Sequence, residues 1–538
     1  MSANRLCILA CVLIACACAD RYHAEFKTRR GVAQRSWLAA ESTAEFWMNE
    51  AQAGITERRQ YIHTEGVARN VIMFLGDGMS VPTLAAARTL LGQRNNQPGE
   101  EAKLSFEKFP TIGLSKTYCV DSQIADSACS ATAYLCGVKA NEGTLGVTAR
   151  VARRDCAASQ DPASRLTSIA AWALADGRDA GIVTTTRVTH ASPAGAFARS
   201  ASRSWESDTN VRADSQDPNT CPDIAQQLIT EEPGKLFKVI LGGGRREFLP
   251  STVQDKEGTS GKRSDGRNLI DEWQNDKKNR NESYQYVWNR DQLLDAQADL
   301  PEYLLGLFEG SHLQYHMEAN NKTEPTLAEL TETAIRMLSR NEKGFFLFVE
   351  AGRIDHAHHE NFATLALDET LELSAAVQVA AEMLPADDSL LVVTSDHAHV
   401  MAFNGYTDRG SDILGPSMQR DSNGVPYMTL SYTNGPGYRQ SSDPRGDVTQ
   451  EEDFRALRWR SHVDVPLGSE THGGDDVAVF ARGPHHQMFS GLYEQSQIPH
   501  LMGYAACLGP GQHACNAAPA HTLPLLLVLG LAAILLCF

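Results

Sequence analysis

The sequence is short of positive charge: 49 Lys and Arg stand against 66 Asp and Glu, a formal net charge of −17. Binding to a phosphate backbone wants a basic patch, so nucleic acid is excluded as a partner. The acidic balance suits a protein that holds several divalent cations, and equally suits plain solubility. Internal repeats and long low-complexity linkers are also missing. That leaves no sign of a solenoid or of a string of tethered domains. No uncharged apolar run reaches the roughly 20 residues of a membrane-spanning helix. What is there is ordinary for a globular chain: 42% hydrophobic and 21% charged over 538 residues. That length can build one large α/β domain with insertions, or two to four average domains.

The two ends read as addresses. Arg5 precedes the apolar run Leu6–Ala17, and Ala17-Cys18-Ala19 is a small-residue cleavage site. Residues 1–19 are therefore expected to be a secretory signal peptide. At the other end, Asn516-Ala517-Ala518, a short spacer and the greasy segment Leu523–Phe538 follow the pattern of a glycosylphosphatidylinositol (GPI) attachment signal. Asn516 is the expected attachment residue, with 516–538 removed; a short transmembrane tail is the alternative. Removal of both ends leaves Cys119, Cys129, Cys136, Cys156, Cys221, Cys507 and Cys515. An odd number leaves at least one thiol free if pairing is intramolecular. In a secreted chain, Asn281-Glu282-Ser283 and Asn321-Lys322-Thr323 are glycosylation acceptors.

Between the ends, residues 35–60 read as an amphipathic helix. Short apolar runs then alternate with helical stretches. Val71–Leu75, Gly181–Val183, Val239–Leu241, Phe345–Val349 and Leu390–Val393 suit strands buried on both faces of a mostly parallel sheet. Ser164–Ala175, Thr326–Leu338 and Thr364–Leu384 have helical periodicity, and the alternation predicts α/β architecture. Two stretches depart from it. Residues 251–290 are polar and read as a surface insertion, and residues 403–468 read as a second, loop-rich insertion.

Ligands of open α/β sheets bind beyond the carboxyl ends of the strands. Three predicted strands run into metal-ligand residue types there: Asp77, Glu350, and Asp396 with His397. One such Asp alone is more simply a turn or a cap; three together favour a site. Asp355 and His359 are spaced i, i+4, so a helix places them on one face where they can chelate one cation such as Zn²⁺. His399 offers a further imidazole, and His472 sits in what reads as a flexible turn. Ser127 lies among small residues just before a helical stretch, Ala131–Gly137. A Ser there is a plain N-cap, or else a nucleophile favoured by the helix N-terminus and by a nearby metal. Cys129 is a rival nucleophile, though a thiol among small apolar residues is more often inert. Ser192 follows another strand and could offer oxygen to Mg²⁺. Arg203 is either a surface residue or a bidentate phosphate clamp.

With these motifs in hand, the chain resembles the alkaline phosphatases, specifically the animal membrane-anchored type. The resemblance covers about residues 40 to 515. It is carried by Phe74–Met79, Ile124–Asn141, Thr184–Gly195, Leu241–Arg245, Phe348–Glu360 and Thr471–Pro484, all in the family's order. It implies a three-layer α/β/α sandwich with a large, mostly parallel central sheet and a loop-rich crown insertion at about 403–468, within one domain spanning 20–515. It implies hydrolysis of small phosphate monoesters at alkaline pH through a phosphoserine on Ser127, with Arg203 holding the non-transferring oxygens. Two Zn²⁺ and one Mg²⁺ per chain are implied. Asp355, His359 and His472 would bind the first zinc; Asp77, Asp396 and His397 the second; Asp77, Ser192 and Glu350 the magnesium. His190 would sit beside magnesium, and His399 would support the first zinc. One Ca²⁺ is a further expectation on Phe308, Glu309 and Glu324, with a last ligand within 251–290. The resemblance also implies Cys156–Cys221 and Cys507–Cys515 disulfides, a homodimer built on the crown and on the 35–60 arm, and a GPI-anchored place on the outer face of the cell membrane. A sulfatase would need a Pro and Arg after the nucleophile, which Ser127-Ala128-Cys129-Ser130 lacks. A phosphodiesterase relative usually has a Thr nucleophile and no match to Ser192. A surface binding protein with a vestigial site is the reading from a different class, and the intact ligand set argues against it.

Overall fold

The computed structural model describes residues 66–440 and 445–512. The signal segment, the 35–60 arm, Cys515, Asn516 and the 516–538 tail lie outside the described residues. Ten strands form the main sheet. In chain order they are β1 (Asn70–Gly76), β2 (Thr111–Lys116), β3 (Asp179–Arg187), β4 (Val239–Gly243), β5 (Tyr284–Val287), β6 (Tyr303–Leu307), β7 (Phe345–Ala351), β8 (Ser389–Thr394), β9 (Val477–Arg482) and β10 (Gly491–Glu494). Their order across the sheet is β10-β2-β9-β8-β1-β7-β3-β4-β6-β5. All pairings are parallel except those of β9, which is antiparallel to β8 and β2.

The apolar runs become central strands because both of their faces are covered. Along β1, Val71, Met73 and Leu75 enter one core, while Ile72 and Phe74 enter the other. This is the period-2 alternation of a strand. Helices Ser127–Cys136, Ile169–Ala175 and Ile498–Ala506 pack on the first face; Leu327–Leu338 and Ala363–Met383 pack on the second. The result is the expected α/β/α sandwich. Helix starts follow local chemistry. Thr326 caps Leu327–Leu338 in a reciprocal box with Glu329, which satisfies two otherwise unpaired N–H groups.

The 251–290 stretch differs from its reading as a mere surface insertion. It contains the helix Leu269–Asn279, which buries Leu269, Ile270 and Trp273, and it supplies edge strand β5. An apolar stripe of three residues was masked by the polar residues around it. The 403–468 stretch is loop-rich as expected. Its order comes from a small sheet of Met401–Phe403, Leu430–Gly435 and Val463–Pro466, and from the pair Pro416–Arg420 with Pro426–Met428.

Cys156 and Cys221 are joined as expected, and Cys119 is joined to Cys129. The second bridge removes Cys129 as a rival nucleophile. Cys136 is a buried free thiol whose pKa burial pushes up to about 12, so it is inert. Cys507 is disulfide-bonded.

Candidate active site

The rim at the carboxyl ends of β1, β8, β7 and β3 gathers the chemistry. Asp77 follows β1 directly, and Asp396 and His397 lie two and three residues beyond β8. Glu350 lies inside β7 rather than after it, where it pairs in register with Thr184 of β3. Gly78 takes a left-handed φ of 68°, and a Cβ there would meet the His399 ring at 2.4 Å. Only glycine lets the turn after β1 approach that ring so closely.

The helix Arg353–His359 puts Asp355 and His359 on one face, with His359 Nε2 3.3 Å from Asp355 Oδ1. His472 was read as lying in a flexible turn. It forms a two-residue antiparallel ladder instead, His472 opposite His399. The ladder brings His472 Nε2 to 3.4 Å from Asp355 Oδ1 and 3.2 Å from His359 Nε2. The far nitrogens are fixed by carbonyls. His359 Nδ1 donates to the Glu470 carbonyl at 2.6 Å, and His472 Nδ1 donates to the Ala125 carbonyl at 2.7 Å. Both Nε2 atoms are thereby left facing Asp355, the tautomer that metal ligation requires. His399 bridges Asp355, at 2.7 Å, and Glu470. Burial works against its charge, but Glu470 and Asp355 outweigh burial and raise its pKa to about 10. It thus acts as a support to Asp355.

Asp77, Asp396 and His397 form a second buried group, with His397 Nε2 3.1 Å from Asp396 Oδ2 and 3.5 Å from Asp77 Oδ1. Asp396 Oδ1 is held by the N–H groups of Gly78 and His397, both at 2.9 Å. Asp77, His190 and Glu350 form a third group, and Ser192 Oγ lies 3.4 Å from Asp77 Oδ2. Thr184 and Thr186 both donate to Glu350 Oε2. Asp77 Oδ1, Asp396 Oδ2, Glu350 Oε1, His397 Nδ1 and His190 Nδ1 are buried without a hydrogen-bond partner. Burial, with Asp396 beside it, raises Asp77 well above the ordinary carboxylate range, and burial lifts Glu350 to about 7. Burial lowers His397 to about 4, so its ring is neutral and free to ligate. Against burial, His397 and the Gly78 N–H lower Asp396, but the orphaned oxygens of Asp77 and Glu350, with raised pKa values, mark a deficit of positive charge that a divalent cation would fill. The donor set therefore fits metal.

Ser127 is not the cap of its helix. Asp126 is the N-cap and Ser127 the first helical residue. Ser127 Oγ lies 3.3 Å from His397 Nε2. Arg203 is no surface residue either. Its Nη1 donates to Asp126 Oδ2 at 2.9 Å, and its Nη2 lies 3.3 Å from His190 Nε2. Spacing alone does not reveal Asp126 as the holder of Arg203, Glu470 as the partner of His399, or the Thr184 and Thr186 contacts to Glu350. Each joins residues distant in sequence, except that Asp126 adjoins a predicted nucleophile.

Phe308, Glu309 and Glu324 form a separate cluster beyond β6. Burial, then a hydrogen bond and repulsion from Glu309, raise Glu324 to about 9, and Glu257 adds to the repulsion. Glu257 lies within 251–290, where the last ligand was expected. It is also paired with Arg245 at 2.8 Å.

Comparison with known proteins agrees with this geometry. A family profile described as alkaline phosphatase matches residues 68–508. The chain is 63% identical over 519 residues to a membrane-bound alkaline phosphatase of Bombyx mori, covering 96% of this chain and 94% of that one. It is 44% identical over 503 residues to the tissue-nonspecific isozyme of Homo sapiens, covering 91% and 94%. Among solved structures, the alkaline phosphatase of the Antarctic bacterium TAB5 aligns with a TM-score of 0.56 at 19% identity, covering 82% of this chain and 99% of that one. At that identity the likeness speaks for the fold.

Proposed function

The chain belongs to the alkaline phosphatase family and is a phosphoric monoester hydrolase, and from that premise we propose that Ser127 is its nucleophile. The observation that carries this is the placement of Ser127 Oγ against His397 within a buried group of unpartnered ligand atoms. Asp77, Asp396 and His397 would hold one Zn²⁺, and Asp355, His359 and His472 a second. Asp77, Ser192 and Glu350 would hold Mg²⁺, with His190 beside it. These cations, when bound, supply Lewis-acid activation of oxygen nucleophiles and neutralise phosphoryl charge. The chain does the rest. The N-terminus of helix Ser127–Cys136 offers N–H groups to the phosphoryl oxygens. Arg203, fixed by Asp126, clamps the non-transferring oxygens. Ser127 Oγ attacks phosphorus in line, the ester bond breaks, and the proton ends on the departing alcohol. Water then attacks the phosphoserine, restoring the hydroxyl and releasing phosphate. Recognition through phosphate rather than the alcohol gives a broad substrate range, and alkaline pH favours the oxygen nucleophiles.

The finer setting is part of the same reading. Glu309, Glu324 and Glu257 suit one Ca²⁺, as hard oxygen donors with a raised carboxylate pKa. Asn281 and Asn321 are exposed, as glycosylation needs. Among the described residues no helix is long and apolar enough to cross a membrane. GPI attachment at Asn516 would then place the enzyme on the outer membrane face, as a homodimer joined through the crown.

The test is Ser127→Ala. Hydrolysis of p-nitrophenyl phosphate should fall by about 10³-fold or more, and the phosphoenzyme should vanish while metal content stays near that of the wild type. Full activity in that variant would overturn the assignment.

A further inference from the structure

Beside the candidate metal centre lies a cleft of about 540 Å³, with His359 in its wall. Three guanidinium groups face it: Arg353, Arg458 and Arg460. Arg458 is oriented by Glu318 at 2.6 Å, and Arg460 by Glu360. Arg353 has no ion-pair partner among the described residues. Its guanidinium carbon lies 3.9 Å from the Tyr315 ring centroid, its Nη1 donates to His356 Nδ1 at 2.8 Å, and its Nε is buried without an acceptor. The other bases of the wall, His312 and His356, are held neutral by burial. Three guanidinium groups against the single lining carboxylate of Glu360 concentrate donors for an anion in a chain of net charge −17. A guanidinium with no carboxylate of its own suits a carboxylate or phosphate brought by a ligand.

We propose that this cleft receives the alcohol portion of the substrate, and that Arg353, Arg458 and Arg460 select phosphate monoesters whose alcohol carries a second anionic group. The proposal rests on the Ser127 reading. A substrate seated at Ser127 and Arg203 would extend its leaving group past His359 into this cleft. The clean probe is a pair differing in one group: 3-phosphoglycerate, with a carboxylate, and glycerol 3-phosphate, without. Wild type should show a higher kcat/KM for 3-phosphoglycerate, and the preference should shrink with added salt. Arg458→Ala/Arg460→Ala should cut the ratio of the two constants about tenfold, with hydrolysis of glycerol 3-phosphate changed less than about twofold. Arg353→Met should cut the ratio further. A ratio unchanged in both the exposed double variant and Arg353→Met overturns the proposal. No hydrolysis of either ester by wild type would instead sink the phosphatase reading itself.

A different set of atoms carries a second inference. The Cys119–Cys129 bridge joins residues ten apart, and the loop it closes carries three contacts of the site. Ala125 carbonyl accepts from His472 Nδ1, Asp126 holds Arg203 and the Cys129 and Gly143 N–H groups, and Ser127 begins its helix. We infer that this disulfide is a positioning element that fixes the nucleophile, the phosphate clamp and the His472 tautomer together. Cys119→Ala/Cys129→Ala should raise KM and speed zinc loss to a chelator, each about tenfold. Cys156→Ala/Cys221→Ala should lower Tm and leave zinc retention alone. Asp126→Asn, which keeps the bridge, should raise KM without faster zinc loss. Unchanged KM and zinc retention in the Cys119/Cys129 variant, folded by circular dichroism, overturns the inference.

Discussion

The rings of the cluster around Asp355 donate hydrogen bonds to carbonyls and to Glu470, whereas the groups sharing Asp77 leave five buried polar atoms without a hydrogen-bond partner. Both sit on the same rim, a few residues beyond neighbouring strands. The first keeps its ligands aimed with or without a cation, because its outer contacts fix ring orientation and tautomer. The second has one oxygen of Asp396 and one of Glu350 held by the protein, and leaves Asp77 Oδ1, Asp396 Oδ2 and Glu350 Oε1 without a partner. A buried unsatisfied polar atom costs about 1–3 kcal/mol, so these three oxygens carry a standing penalty that a cation would relieve. One cluster has its outer contacts complete, and the other keeps carboxylate oxygens open for what it would bind.

That contrast can be broken by experiment. The largest effect is expected at Asp77, which two of the groups share. Asp77→Asn should lower kcat/KM about 10³-fold or more and reduce total bound metal by more than one ion per chain, read by elemental analysis. Loss of a single ion would mean that Asp77 serves one group only. A smaller effect is expected where the protein does the organising. Glu470→Gln frees His399 and should weaken zinc binding about 10–100-fold while kcat with saturating zinc stays near wild type. A fall in kcat that zinc does not rescue would make Glu470 part of the chemistry.

The smallest effect is a slope. In the metal-stripped protein Glu350 has a folded pKa of about 7, above its ordinary 4.5, and Asp77 is raised as well. A carboxyl with a raised folded pKa binds protons more tightly when folded. Its effect is therefore to destabilise progressively as pH rises from the unfolded value through the folded one. Buried neutral histidines such as His397 and His356 pull the other way over this range, so the effect is read as a difference between variants. Chelated Glu350→Gln should gain Tm relative to the chelated parent as pH rises from about 5.5 to about 8, and restored metal should remove that gain. No relative gain over that range would show that the Asp77 groups are not short of positive charge.

Much of this was legible in the sequence, for reasons that differ by element. The strands β1, β7 and β8 are buried on both faces, so their uniform apolar runs announce them. Edge-side β2 alternates buried and exposed residues over six positions, and β5 is only four residues long, so neither stands out. Asp355 and His359 were readable from spacing because a helix relates them locally. The ladder that lifts His472 out of its apparent turn was not readable, because the pairing with His399 spans the whole 403–468 insertion. The Asp126–Arg203 contact was hidden in the same way. Local chemistry can be read from spacing, but contacts made by folding cannot. The family order supplied the roles that spacing left open.

That two-residue ladder between His399 and His472 also sets a clock. Asp77 and His472 are separated by roughly 400 residues, which the ribosome adds in roughly 20–80 seconds at 5–20 residues per second. Through that whole interval the nascent chain carries carboxylates and imidazoles destined for one rim without the strand pairing that closes it. The rim that Asp77 begins and His472 completes, and with it the proposed Asp355 centre, would therefore close only after nearly all of the domain has been made. Truncations that end before His472 should yield chains that are long and rich in β-strand segments, yet unable to complete that centre.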